Sequence, residues 1–222
     1  MRKRLRTASL ALAAAASIAA IAPATSAAAT TCTGTLTGDV YGTLVVPNGV
    51  LCDPNGFDIY GSVIVEAGGL FQYLAPNSGT TQVFGNVTSN GGQVVFQNGQ
   101  ISGNVNISNS PYNQDISIAR VGGSITFTNV SGYINVSNAN VTGGGIKLVG
   151  NGGGAQIFAN TVSGTVTLTN NVTWSGPWTV SQNTIGGALS CSGNTPPPTA
   201  PFGPNAVSGA ATGQCAGPAF KA

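Results

Sequence analysis

The sequence predicts an all-β fold, a single-stranded parallel β-helix (solenoid) of about eight coils, and three observations carry that expectation. A seven-residue motif (apolar, any, Gly, any, apolar, any, apolar) recurs eight times. Its glycines, Gly42, Gly61, Gly85, Gly103, Gly123, Gly143, Gly164 and Gly187, are 19, 24, 18, 20, 20, 21 and 23 residues apart. That period falls in the range of stacked repeat architectures. The four cysteines sit as two pairs at the ends of the repeat.

Residues 1–29 read as a secretory signal segment and not as part of the fold. Arg2, Lys3, Arg4 and Arg6 make a basic start, and residues 10–21 are apolar and Ala-rich. Small residues follow, with cleavage expected between Ala27 and Ala29. The apolar run is too short for a membrane anchor, and no second one of that length follows, so no membrane span is expected after cleavage. Removal of the segment leaves Arg120, Lys147 and Lys221 against Asp39, Asp53, Asp58, Glu66 and Asp115, a net charge of −2. A nucleic-acid partner is not expected of such a chain. With no histidine and only eight charges, acid–base chemistry has few carriers.

The solenoid is expected over residues 30–194. In the first copy, Val40-Tyr41-Gly42-Thr43-Leu44-Val45-Val46, the apolar side chains at Gly−2, Gly+2 and Gly+4 alternate and point to one face. A second, weaker strand lies upstream of later copies, at 94–96, 116–118, 134–136, 156–158 and 178–180. A unit this short cannot bury its own apolar face. Coils stacked in parallel about 4.8 Å apart can, with right-handed crossovers. Leucine-rich repeats share the period but not the leucine consensus, and a β-sandwich would need hairpin turns without this register. Asn98, Asn138, Asn160 and Asn183 recur between strands, as left-handed corners and side-chain ladders require. The glycosylation sequons at Asn86, Asn106, Asn129, Asn135, Asn140 and Asn171 follow from an Asn/Thr/Val-rich repeat.

Residues 28–37 would blunt one open edge of the rod. After Cys191, Pro196, Pro197 and Pro198 cannot feed a ladder, so residues 195–222 are expected to cap the other end. Four cysteines allow three pairings. Cys32–Cys52 and Cys191–Cys215 are expected, because the other pairings would join opposite ends of a rod. Each closes a loop worth about 3 kcal/mol.

The stretches Thr31-Cys32-Thr33-Gly34-Thr35, the Gly-Asn-Val at Gly85 and Gly103, Cys191-Ser192-Gly193-Asn194, the three prolines and Gly213-Gln214-Cys215 resemble small secreted parallel β-helix proteins of actinobacteria. That group has no assigned activity. The resemblance covers essentially all of the mature chain; it implies fold and export and supplies no catalytic residue.

One face stands out as a candidate ligand-binding site. Asp39 and Asp58 occupy Gly−3 of consecutive turns, about 5 Å apart if outward. That spacing suits a retaining carboxylate pair, or half of a calcium site with Asp53 and Glu66. Beside them Tyr41, Tyr60 and Phe84 fill Gly−1 of three turns, an aromatic column open to sugar rings. The competing reading is that like residues simply stack. Trp174 and Trp178 are expected to close the core rather than bind ligand. Ser124-Thr126-Thr128 and Thr165-Thr167-Thr169 suggest an ice-binding array, with Gly145, Lys147 and Val149 intruding between them and spoiling its flatness and register.

By elimination the sequence points to an exported, non-catalytic structural or adhesive component of the cell surface or matrix. Its partners would be glycans, cell-wall polymer or copies of itself. A polysaccharide-binding or polysaccharide-cleaving protein and an ice-binding solenoid are the alternatives. No catalytic residue, metal ligand or cofactor is assigned.

Overall fold

The computed structural model describes residues 28–74, 80–173 and 176–222. The cleavage region up to Ala27, and Trp174, lie outside them. Described residues form no helix, and none is therefore long and apolar enough to cross a membrane.

The chain is a parallel β-solenoid with three sheets; each of the first seven coils contributes one strand to each, and the last coils add strands only to the first and third. The first sheet has ten strands, from Thr30–Thr31 and Leu44–Val46 through Ile125–Thr128 to Ala211–Gly213. The second has seven, from Leu51–Cys52 to Trp178–Ser181. The third has nine strands of two residues each, from Val40–Tyr41 to Ala206–Val207. Every registered pair is parallel and joins residues one coil apart, as in Leu44 with Val63 and Val63 with Val87.

The repeated motif straddles a corner. Its Gly−2 residue belongs to the third sheet, whereas Gly+2 and Gly+4 belong to the first. All three point inward, but from two walls and not along one face. The glycine is required because successive corners lie directly on one another: Gly85 donates to the Gly61 carbonyl at 2.8 Å and Gly123 to that of Gly103 at 2.9 Å. A Cβ on Gly61 would sit 2.0 Å from the Gly42 oxygen. The extra glycine of the sixth turn is absorbed at this corner. Ile146 still pairs with Ile125 and Val166, and Lys147 with Thr126 and Thr167. The insertion therefore does not disturb the strand register, contrary to the sequence-based expectation.

Inward columns build the core. Val40, Ile59, Val83, Ile101, Val121 and Val141 line the third wall, all at 5% exposure or less. Phe71, Val94, Ile134, Ala155 and Trp178 share one column of the second wall, with Trp178 above small Ala155. Burial of one such aliphatic side chain stabilises by about 1.5–3 kcal/mol. Gln114 interrupts this column and is buried. Its Oε1 accepts from the Val94 amide at 2.8 Å, and its Nε2 donates to Ser110 Oγ at 2.8 Å and the Tyr112 carbonyl at 2.9 Å. A buried amide costs little when it is satisfied in this way.

The asparagines divide into two classes. Asn98 and Asn138 take positive φ (57° and 53°) at the corner between second and third sheets, as expected. Asn160 and Asn183 do not; they are buried ladder residues. Asn160 Nδ2 donates to Asn183 Oδ1 at 2.8 Å, and Asn183 Nδ2 to Asn205 Oδ1 at 2.8 Å. A second ladder, unforeseen from sequence, runs through Asn151, Asn171, Asn194 and Gln214 at 2.9, 2.7 and 2.9 Å. Asn171 is fully buried there, so its sequon is inaccessible.

The disulfides are Cys32–Cys52 and Cys191–Cys215, near the two ends of the rod. Their presence suits an oxidising compartment. Coil pairing continues past Asn194: Ala206–Val207 pairs with Thr184–Ile185, and Ala211–Gly213 with Leu189–Cys191. Val207-Ser208-Gly209 repeats the motif, and Gly209 donates to the Gly187 carbonyl at 2.9 Å. The C-terminal segment thus supplies part of a further coil, and half-exposed or buried residues such as Phe220 then close the core.

Candidate functional site

The third sheet presents two outward columns, because each of its strands buries one residue and exposes its neighbours. At Gly−3 stand Asp39, Asp58, Gln82, Gln100, Arg120 and Asn140; at Gly−1 stand Tyr41, Tyr60, Phe84 and Ser102. The register confirms these columns: Tyr41 pairs with Tyr60, Gln82 with Gln100, and Gln100 with Arg120.

The three rings do form a stack. Tyr41 and Tyr60 have centroids 4.9 Å apart at 5°, and Tyr60 and Phe84 are 4.8 Å apart at 10°. This geometry changes what they offer. Parallel stacking turns ring faces toward each other, so both faces of Tyr60 are covered and the column shows its edges to solvent. A sugar needs a free face, and only the outer faces of Tyr41 and Phe84 remain. The column therefore stabilises the first coils as aromatic pairs do, by about 0.5–1.5 kcal/mol each.

The carboxylates are likewise engaged with the neighbouring coil. Asp39 Oδ1 accepts the Asp58 amide at 3.0 Å, and Asp58 Oδ1 accepts the Gln82 amide at 2.9 Å. Asp53 Oδ1 closes a local turn by accepting the Asn55 amide at 2.8 Å. Glu66 is exposed on the first sheet side of the coil. Among the described residues no three acidic, cysteine or histidine side chains gather closely enough to hold a metal ion. The proposed pairing of Asp39 and Asp58 with Asp53 and Glu66 as a calcium site is not assembled.

The acids do act on Tyr60. Its phenol is pushed above its ordinary value, first by loss of water against its neighbours, then by the Asp39 and Asp58 carboxylates and Tyr41. Trp178 is buried in the core. Ser124, Thr126, Thr128, Thr165, Thr167 and Thr169 face out of the first sheet, and exposed Lys147 stands between Thr126 and Thr167.

Sequence reasoning missed a different group on the same sheet. A shallow pocket of about 210 Å³ is lined by Thr80, Gln82, Asn98, Gln100, Ile118 and Arg120. The column spacing of Gln82, Gln100 and Arg120 was available as a signal, but the acidic and aromatic residues above them were more conspicuous. The sequence places Ile118 in the second strand of its coil, at 116–118, but the strand ends at Ser117. Ile118 is instead a corner residue with φ 52° and 60% exposure.

No family model, curated protein or solved structure matches the chain.

Proposed function

We propose that the protein is an exported, non-catalytic structural or adhesive component of the cell surface or extracellular matrix. The observation that carries this reading is the fate of the one concerted acidic and aromatic group. Asp39 and Asp58 serve as acceptors for the next coil's amides, and the rings are spent on each other. These are structural uses, on an open face. The basic and apolar start of the chain supports export, and the two disulfides fit an oxidising destination. The resemblance to secreted actinobacterial β-helix proteins points the same way. The outward Ser, Thr and Asn columns suit many shallow hydrogen bonds to a glycan or cell-wall polymer.

Residues 28–222 should co-sediment with insoluble cell-wall polysaccharide and leave soluble polysaccharides uncut. Asp39→Asn with Asp58→Asn should lower the melting temperature without changing either result. Polysaccharide cleavage that disappears in this double variant would overturn the reading in favour of a carboxylate enzyme. The ice-binding alternative is not favoured, because exposed Lys147 puts a cation in the middle of the threonine array.

A further inference from the structure

We propose that the pocket around Arg120 binds a carboxylate-bearing sugar unit of an acidic polysaccharide. The inference deepens the adhesive reading and rests on it for its biological setting. Its residues are separate from Asp39, Asp58 and the aromatic stack.

Arg120 is exposed, and among the described residues its guanidinium makes no ion pair or side-chain hydrogen bond. Asp115, the nearest acid in sequence, lies on the second sheet. It is already held by Gln97 Nε2 at 2.6 Å and Asn135 Nδ2 at 3.0 Å. The guanidinium thus keeps its planar donor fork for a ligand, and that fork matches a carboxylate in two parallel bonds.

Gln82 and Gln100 stand in register behind Arg120 on successive coils. Their amides point from a half-buried column and offer both donors and acceptors, as sugar hydroxyls require. The coil rise of about 4.8 Å is close to the length of one pyranose unit, so a chain laid along the column meets one amide per sugar. Asp58 lies one coil beyond Gln82 and repels an anion there. The carboxylate is thereby directed to the Arg120 end. A single cation among neutral amides suits a singly charged carboxylate better than a polyphosphate.

Ile118 supplies the remaining feature. Equivalent corners use Asn98, Asn138, Ala159 and Gln182 at similar φ. A β-branched side chain in this region is strained, yet Ile118 occupies it, 60% exposed and lining the pocket with Arg120. Strain of this kind persists at ligand sites. An exposed Ile wall gives the C–H face of a sugar ring an apolar surface.

The test is calorimetric titration of residues 28–222 with a uronic-acid oligosaccharide, its methyl ester and the neutral parent sugar. Binding of the acid alone, weakened by salt, is expected. Arg120→Gln should weaken it about tenfold or more, the loss of a charge-assisted pair. Arg120→Lys should recover only part, and Gln100→Ala should weaken it several-fold. Because these side chains are exposed or half-buried, unchanged melting curves will show that each variant folds. Equal binding by Arg120→Gln, equal binding of the methyl ester, or no binding of the acid would each overturn the proposal. Retention on insoluble wall material is scored in parallel. If wild type fails there but binds the uronate, the adhesive reading falls and the site stands; if it is retained without binding the uronate, the reverse holds.

Discussion

Ile118 pairs a left-handed backbone with an exposed β-branched side chain at the rim of the proposed uronate site. At φ 52° it occupies a conformation in which an L side chain costs about 1–2 kcal/mol, and its exposure returns little burial energy. Ile118→Asn should therefore raise stability by about 1 kcal/mol, read from the urea midpoint, while weakening uronate binding. A fall in stability would mean that the Ile side chain contributes packing that its 60% exposure does not suggest. Tyr60 is a second residue-scale test. Its folded-state pKa is raised, so its contribution to stability is complete below the unfolded value near 10 and is lost as pH rises through the folded one. Asp39→Asn with Asp58→Asn should bring its titration down, followed by phenolate absorbance. An unmoved titration would show that the acids do not reach the phenol. From sequence, the column holding Tyr60 was legible, but the direction of its ring faces was not.

At the scale of the element, the corner carries more constraint than the strand. Gly61→Ala would place a Cβ 2.0 Å from a backbone oxygen that stacking holds in place. We expect a loss of about 2–3 kcal/mol or more, measured by chemical denaturation. Gly38→Ala meets nothing within 4 Å and should change stability by less than about 0.5 kcal/mol. Comparable losses in the two variants would refute the stacked-corner account. The period of these glycines was plain in the sequence. That their motif turns a corner was not, because alternation across a bend with one glycine between looks like alternation along one strand. The asparagines were similarly ambiguous. Asn138 and Asn160 have the same composition and similar neighbours, but one takes a left-handed corner and the other donates and accepts inside the core.

For the whole molecule, the ends decide the cooperativity. A solenoid is held by nearest-neighbour interfaces and frays from its termini. The two disulfides close loops of sequence separation 20 and 24 over those termini. Reduction should cost about 3 kcal/mol per bridge. In amide exchange, protection should fall first at Leu44–Val46 and Leu189–Ser192, while Ile125–Thr128 in the middle stays protected. A uniform loss of protection along the rod would show one cooperative unit and no fraying. The buried Asn ladders lie in the C-terminal half of the rod, so fraying should advance farther from the N-terminal end.

The sequence by itself determined the stacked coils, the inward columns, the two cysteine pairs and the candidate acidic and aromatic columns. Each of these is written in local alternation or in a repeat of about 21 residues. Only the tertiary structure decided what the outward side chains do. Asp39 caps an amide 19 residues away, Tyr60 is covered on both faces, and Arg120 has Gln100 and Asn140, not an acid, on the coils beside it. The physical reason is that every residue in a solenoid has its closest partners one coil above and one below. Whether a carboxylate, a ring or a guanidinium is spent or free depends on those two neighbours and on which wall of the coil each occupies.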